Sequence, residues 1–261
     1  MKKKIVALAL AVSCMVGVVG CSSEKKNVDT TSNGVASSEA TDKYVVTYYD
    51  QDKQVVATEE VEAGQPVPDI KPEKDGYEFM GYYINPECGR EMDITSPVVG
   101  DKEVYCGYTK AQKDERKFYI VGAGKSEILT KSNWGETFDD TFALTKDESS
   151  EKNVYKITVE LSVGDEFQFV TDVKWSDQRG FGYIKDGKLN GETYLKKAAG
   201  LGDSPAEKSN ILVEKSGKYE FTLTTYPASD VYDTENEYYT EETKENFNSN
   251  PFDTIEWKIV E

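Results

Sequence analysis

Short runs in which β-branched and aromatic residues alternate with polar ones recur along this 261-residue chain, and they restrict it to folds built from strands. Ile255-Glu256-Trp257-Lys258-Ile259 shows the pattern. Every second residue is large and apolar, so Ile255, Trp257 and Ile259 share a face predicted to be core. Val, Thr, Tyr and Phe fill most such positions, with 17 Tyr, 10 Phe and 3 Trp in all. These residue types suit a pleated, half-buried surface. Apolar runs of helical period are scarce, and the length suits one or two domains.

The first 21 residues stand apart from this pattern. Lys2, Lys3 and Lys4 precede an apolar run from Ile5 to Val19, which Gly20-Cys21 closes. The run falls short of the roughly 20 apolar residues of a membrane-spanning helix. It resembles a bacterial lipoprotein signal. That resemblance implies removal of residues 1–20, acylation of Cys21 by chains such as palmitate, and a location on the extracellular face of the cell membrane. Several acyl chains anchor stably where one is marginal. Residues 22–43 are Ser, Thr, Asn, Glu and Lys with almost nothing to bury, so a disordered tether is expected, with a reach of about 25 Å.

Charge and missing residue types exclude several functions. Loss of the three lysines in residues 1–20 takes the formal net charge from −17 to −20. Such a surface repels phosphate backbones and anionic headgroups, so nucleic acid is not an expected partner and the lipid must supply the anchor. A neutral glycan meets no such penalty. Histidine is absent, which removes Ser-His-Asp and Cys-His catalysis and the commonest metal ligand. Once Cys14 leaves with the signal and Cys21 is lipidated, Cys88 and Cys106 remain. They are a poor zinc site and a candidate disulfide closing a loop worth about 3 kcal/mol. The acidic stretch Ala228–Asp253 holds Asp230, Asp233, Glu235, Glu237, Glu241 and Glu242 without EF-hand spacing, and is expected to be a solvated insert. No paired carboxylates stand out for glycoside hydrolysis. No enzyme activity, metal or cofactor is expected.

Residues 44–110 read as a first unit. Tyr44–Tyr49 and Gln54–Val61 form a hairpin. Gly64, Pro66, Pro68 and Pro72 enforce an extended passage, and Gly76–Tyr83 and Lys102–Tyr108 complete the strands. Gly64, Pro68, Gly76, Tyr77, Phe79, Gly81 and Tyr83 give this unit its resemblance to the Listeria–Bacteroides, or internalin B-type, surface repeat, with Tyr82 where tryptophan is usual. The resemblance implies a small β-grasp-like module. Ala111–Arg116 is a charged linker. Residues 117–261 then show strands at Phe118–Val121, Asp140–Leu144, Val154–Leu161, Glu166–Thr171, Gly182–Ile184, Ile211–Val213, Lys218–Thr225 and Ile255–Val260, while Glu192–Leu201 suits a helical turn or a loop. Short strands with little helix indicate an immunoglobulin-like β-sandwich. Val121-Gly122-Ala123-Gly124-Lys125-Ser126 imitates a phosphate loop, but Tyr119 stands where its first glycine belongs, so a tight turn is expected.

Trp134 and Trp175 stand among polar residues after strands. An indole in such a loop either caps the core or meets a ligand. A pyranose offers weakly polar C–H groups to an aromatic face. Lys174, Asp177, Gln178 and Arg179 flank Trp175 with groups able to bind sugar hydroxyls, and Phe181 and Tyr183 extend the platform. Tyr119–Gly122, Trp134, Gly164–Phe169, Trp175 and Asn210–Leu223 together resemble the starch-binding modules of SusE- and SusF-type lipoproteins. That resemblance implies non-catalytic capture of starch or malto-oligosaccharides at the cell surface, beside amylases or transporters. The competing expectation is a surface adhesion or scaffolding protein that binds other proteins.

Overall fold

The computed structural model describes residues 42–172, 177–198 and 208–261. The signal segment, Cys21 and the tether up to residue 41 lie outside the described residues. Four strands, β1 (Lys43–Tyr49), β2 (Val55–Glu62), β3 (Glu78–Tyr83) and β4 (Lys102–Thr109), pair in the order β2-β1-β4-β3. The β1–β2 hairpin turns at Asp50, whose Oδ1 accepts from the backbone N–H groups of Asp52 and Gln54. β1 then lies parallel to β4, which is antiparallel to β3.

One face of this sheet buries Val46, Tyr48, Tyr82, Val104, Cys106 and Tyr108. The proline-rich passage covers it without a helix. Proline has no N–H to donate but keeps its carbonyl. The Tyr48 hydroxyl donates to Pro68 O at 2.7 Å and the Tyr108 hydroxyl to Pro72 O at 2.8 Å. The opposite face presents Tyr83, packed against Cys88 and Phe252. Gly107 makes that contact possible: a Cβ there would sit 2.6 Å from the Tyr83 ring and 2.9 Å from Phe252.

Eleven further strands follow: β5 (Phe118–Ala123), β6 (Thr145–Lys146), β7 (Asn153–Leu161), β8 (Glu166–Thr171), β9 (Gln178–Arg179), β10 (Lys188–Leu189), β11 (Glu192–Thr193), β12 (Leu195–Lys197), β13 (Ile211–Val213), β14 (Gly217–Thr225) and β15 (Thr254–Val260). One sheet runs β12-β13-β8-β5 with β9 paired to β8, and another runs β15-β14-β7-β6. Both contribute to a single core. Phe167 and Phe169 from one sheet meet Phe221 of the other edge-on, at centroid distances of 5.3 and 5.5 Å. Burying each such ring stabilises by about 1.5–3 kcal/mol. Trp257 is half-buried at the margin of this core, its Nε1 donating to Asp186 O at 2.6 Å.

The structure departs from expectation in short segments. Asp140–Phe142 is a 3₁₀ turn capped by Asp139, which accepts from Thr141 N–H at 2.8 Å, and the strand begins only at Thr145. Phe181–Tyr183 is also a 3₁₀ turn. Where a helical turn or a loop was expected, Glu192–Thr193 and Leu195–Lys197 are short strands on either side of a bend at Tyr194, β11 pairing with β10 and β12 with β13; residues 199–201 lie outside the described ones. A six-residue helix, α1 (Glu127–Ser132), is too short to announce itself by periodicity.

The glycine loop before α1 does gather backbone donors around an anion. That anion is the chain's own Asp165: its Oδ1 accepts from Lys125 N–H at 2.7 Å, and its Oδ2 accepts from Ser126 Oγ and from Ser162 N–H. The carboxylate stands where a Gly124 side chain would be.

Candidate functional site

Trp134 occupies an unusual backbone position. Asn133 ends α1 in the left-handed region, donating its N–H to Leu129 O. Trp134 continues at φ 54° and Gly135 at φ 81°. Glycine accepts this conformation readily, but for a bulky aromatic it costs about 1–3 kcal/mol. The indole is half-buried beside β5.

Asp177 and Arg179 are fixed by the β8–β9 pairing, which sets Arg179 opposite Phe169. Arg179 is fully buried. Its Nε and Nη2 donate to Asp253 Oδ2 at 2.9 and 2.8 Å, and Nη2 also donates to Asn250 Oδ1 at 2.9 Å. Nη1 donates to Thr171 Oγ1 at 2.9 Å and lies 2.6 Å from Asp177 Oδ2. The guanidinium also lies 5.1 Å from the centre of the Phe118 ring. Asp177 is shared with Arg116 Nη1 at 3.0 Å and accepts from Asn250 Nδ2 at 2.7 Å. Arg116 in turn grips Asp114, which takes the Thr225 hydroxyl at 2.6 Å. Burial opposes ionisation of Asp114 and Asp177, yet the guanidinium groups hold both carboxyls below their ordinary value. At Asp253 burial prevails and the carboxyl is raised.

This cluster corrects the expected sugar platform. Asp177 and Arg179 direct their hydrogen bonds to each other, to the 111–116 segment and to the C-terminal insert, so they are interior staples. Tyr183 is also buried, its hydroxyl donating to Ser249 O at 2.7 Å. Phe181 is half-buried against the core, and Gln178 is half-buried on β9. Lys174 and Trp175 lie outside the described residues.

No family model matches the chain, and no curated protein does. A solved structure does. The crystal structure of SusF from Bacteroides thetaiotaomicron is similar over 61% of this chain, at 14% identity and a TM-score of 0.34. The chain spans 33% of that protein's length.

The insert is less solvated than expected. Asp233, Glu235, Glu237, Glu241 and Glu242 are exposed, but Asp230 lies 3.6 Å from Arg116, and Asn248, Asn250 and Asp253 are buried. Sequence reading missed Asn250 and Asp253 as partners of Arg179, and Arg116 as a partner of Asp177. One signal was present: the chain uses three arginines among 31 basic residues, and arginine is the cation suited to buried multidentate pairing.

The disulfide expectation is also corrected. Cys88 and Cys106 are both free and buried. Cys106 shares the sheet face of Tyr82, opposite it in the β3–β4 register, whereas Cys88 packs on the Tyr83 face. The sheet itself separates the thiols. Burial pushes them up to about 12 for Cys88 and about 11 for Cys106, which keeps them protonated and unreactive. Among the described residues, no group of three or more Cys, Asp and Glu is placed to hold a metal ion.

Proposed function

We propose that this chain is a non-catalytic carbohydrate-binding protein of the cell surface, anchored through Cys21, that captures starch or malto-oligosaccharides with Trp134 and Trp175. In this reading a β-grasp-like module carries an immunoglobulin-like sandwich, and captured glucan is held near amylases or transporters. The supporting observation is Trp134 itself. A tryptophan held half-buried at φ 54°, against its steric preference, is the kind of backbone outlier that supports a functional role for its ring. Phe181, half-buried just after β9, offers further apolar surface. A non-catalytic role is supported by Asp114, Asp177 and Asp253, buried acids each committed to a guanidinium inside the fold.

Co-sedimentation of the full chain with insoluble starch tests the reading. The native protein is expected in the pellet, and Trp134→Ala or Trp175→Ala should each weaken binding by about 1–3 kcal/mol, by analogy with aromatic stacking on bases. Native protein remaining in the supernatant would defeat the proposal.

A further inference from the structure

We infer that the groove between the first sheet and the C-terminal insert is a second site for a neutral oligosaccharide. The inference extends the carbohydrate reading above and rests on it for the class of ligand. The groove encloses about 1050 Å³, the upper end of the range for small-molecule sites. The first sheet and the loop after β3 contribute Tyr83, Arg90 and Glu91, and the insert contributes Asn236, Asn246 and Phe247. The site therefore exists only because the insert packs on the sheet, through the Tyr83–Phe252 ring contact at 5.7 Å.

Three features point to a neutral, hydroxyl-rich ligand. First, hydrogen-bonding groups stand uncommitted. Among the described residues the exposed Arg90 guanidinium and Asn246 amide pair with no side chain, and Asn236, whose Oδ1 accepts from Tyr238 N–H at 3.1 Å, has no acceptor for its Nδ2. Amides and guanidinium present donors and acceptors at the spacing of neighbouring hydroxyls. Second, the charge balances locally. Arg90 and Lys208 line the groove together with Glu91 and Asp233, while Lys185 is paired with Glu256 and Asp253 with Arg179. In a chain of net charge −17, a nearly neutral groove selects against ions of either sign. Third, Phe247 supplies a half-buried ring, set beside Tyr239 at 6.1 Å, for the C–H face of a sugar.

Titration of the full chain with maltoheptaose tests this. The native protein is expected to show two classes of site. Trp134→Ala with Trp175→Ala should remove one and leave the other. In that background Arg90→Ala or Asn246→Ala should weaken the remaining class by about ten-fold. Both side chains are exposed, so the unfolding midpoint should stay in place. If the double tryptophan variant binds no maltoheptaose while the native chain does, or if its residual binding ignores both groove substitutions, the groove inference falls and the tryptophan reading stands. If binding is lost with Asn246→Ala alone but kept in full without the tryptophans, the groove stands and the tryptophan reading falls. No binding by the native chain overturns both.

Discussion

Asp230 is the residue at which the ionic cluster is least comfortable. Arg116 Nη1 lies 3.6 Å from its Oδ2, but that guanidinium is already committed to Asp114 and Asp177. Burial raises the Asp230 carboxyl to about 6; Arg116 opposes the rise, and the negative charges of Asp177 and Asp253 add to it. An acid raised in this way stabilises the fold fully below its unfolded value of 3.8, and that contribution is lost as pH climbs through about 6. Above pH 6 the folded chain therefore carries an ionised carboxylate it would rather hold neutral. Asp230→Asn is expected to raise unfolding free energy at pH 7.5 by about 1–3 kcal/mol and to change it little below pH 4. Urea unfolding at the two pH values checks this. Equal effects at both would mean that the carboxylate is not penalised by its surroundings.

At the scale of elements, the insert between β14 and β15 is a strap and not a solvated loop. Its Phe252 fills the space that Gly107 leaves open, and its Ser229 hydroxyl donates to Thr109 of β4. Phe252→Ala is expected to cost about 3–5 kcal/mol. Because it removes the ring that joins the first sheet to the rest, it should also replace one thermal transition by two in calorimetry. A single unshifted transition would show that the strap is not what couples them. The strands joined by this strap were largely legible beforehand. Glu166–Thr171 and Ile211–Val213 fall where alternation and flanking turns put them. Asp140–Phe142 and Phe181–Tyr183 were not legible, since a three-residue turn carries no period to read. The depth of Arg179 was hidden for a different reason. Asp177 is a local partner, but Asp253 and Asn250, which complete its enclosure, lie 74 and 71 residues away, so the neighbouring sequence does not distinguish a stapled arginine from one that reaches for solvent.

For the whole molecule, the two thiols matter by staying apart. With Cys88 and Cys106 on opposite sides of the β3–β4 pair, no covalent link joins them to brace the fold. Adding dithiothreitol should leave the thermal midpoint of the native protein unchanged, and a fall of several degrees would reveal a bond after all. Stability rests instead on contacts between distant parts of the sequence, and that has a consequence for assembly. The first sheet is synthesised early, but the Tyr83 face is finished by Phe252 and the edge near β4 by Ser229, 120 residues beyond Thr109. Contacts so remote are slow to form. A nascent chain thus keeps one side of its first sheet uncovered until Phe252 has been synthesised, and the early sheet and the late insert reach their final form together, not one after the other.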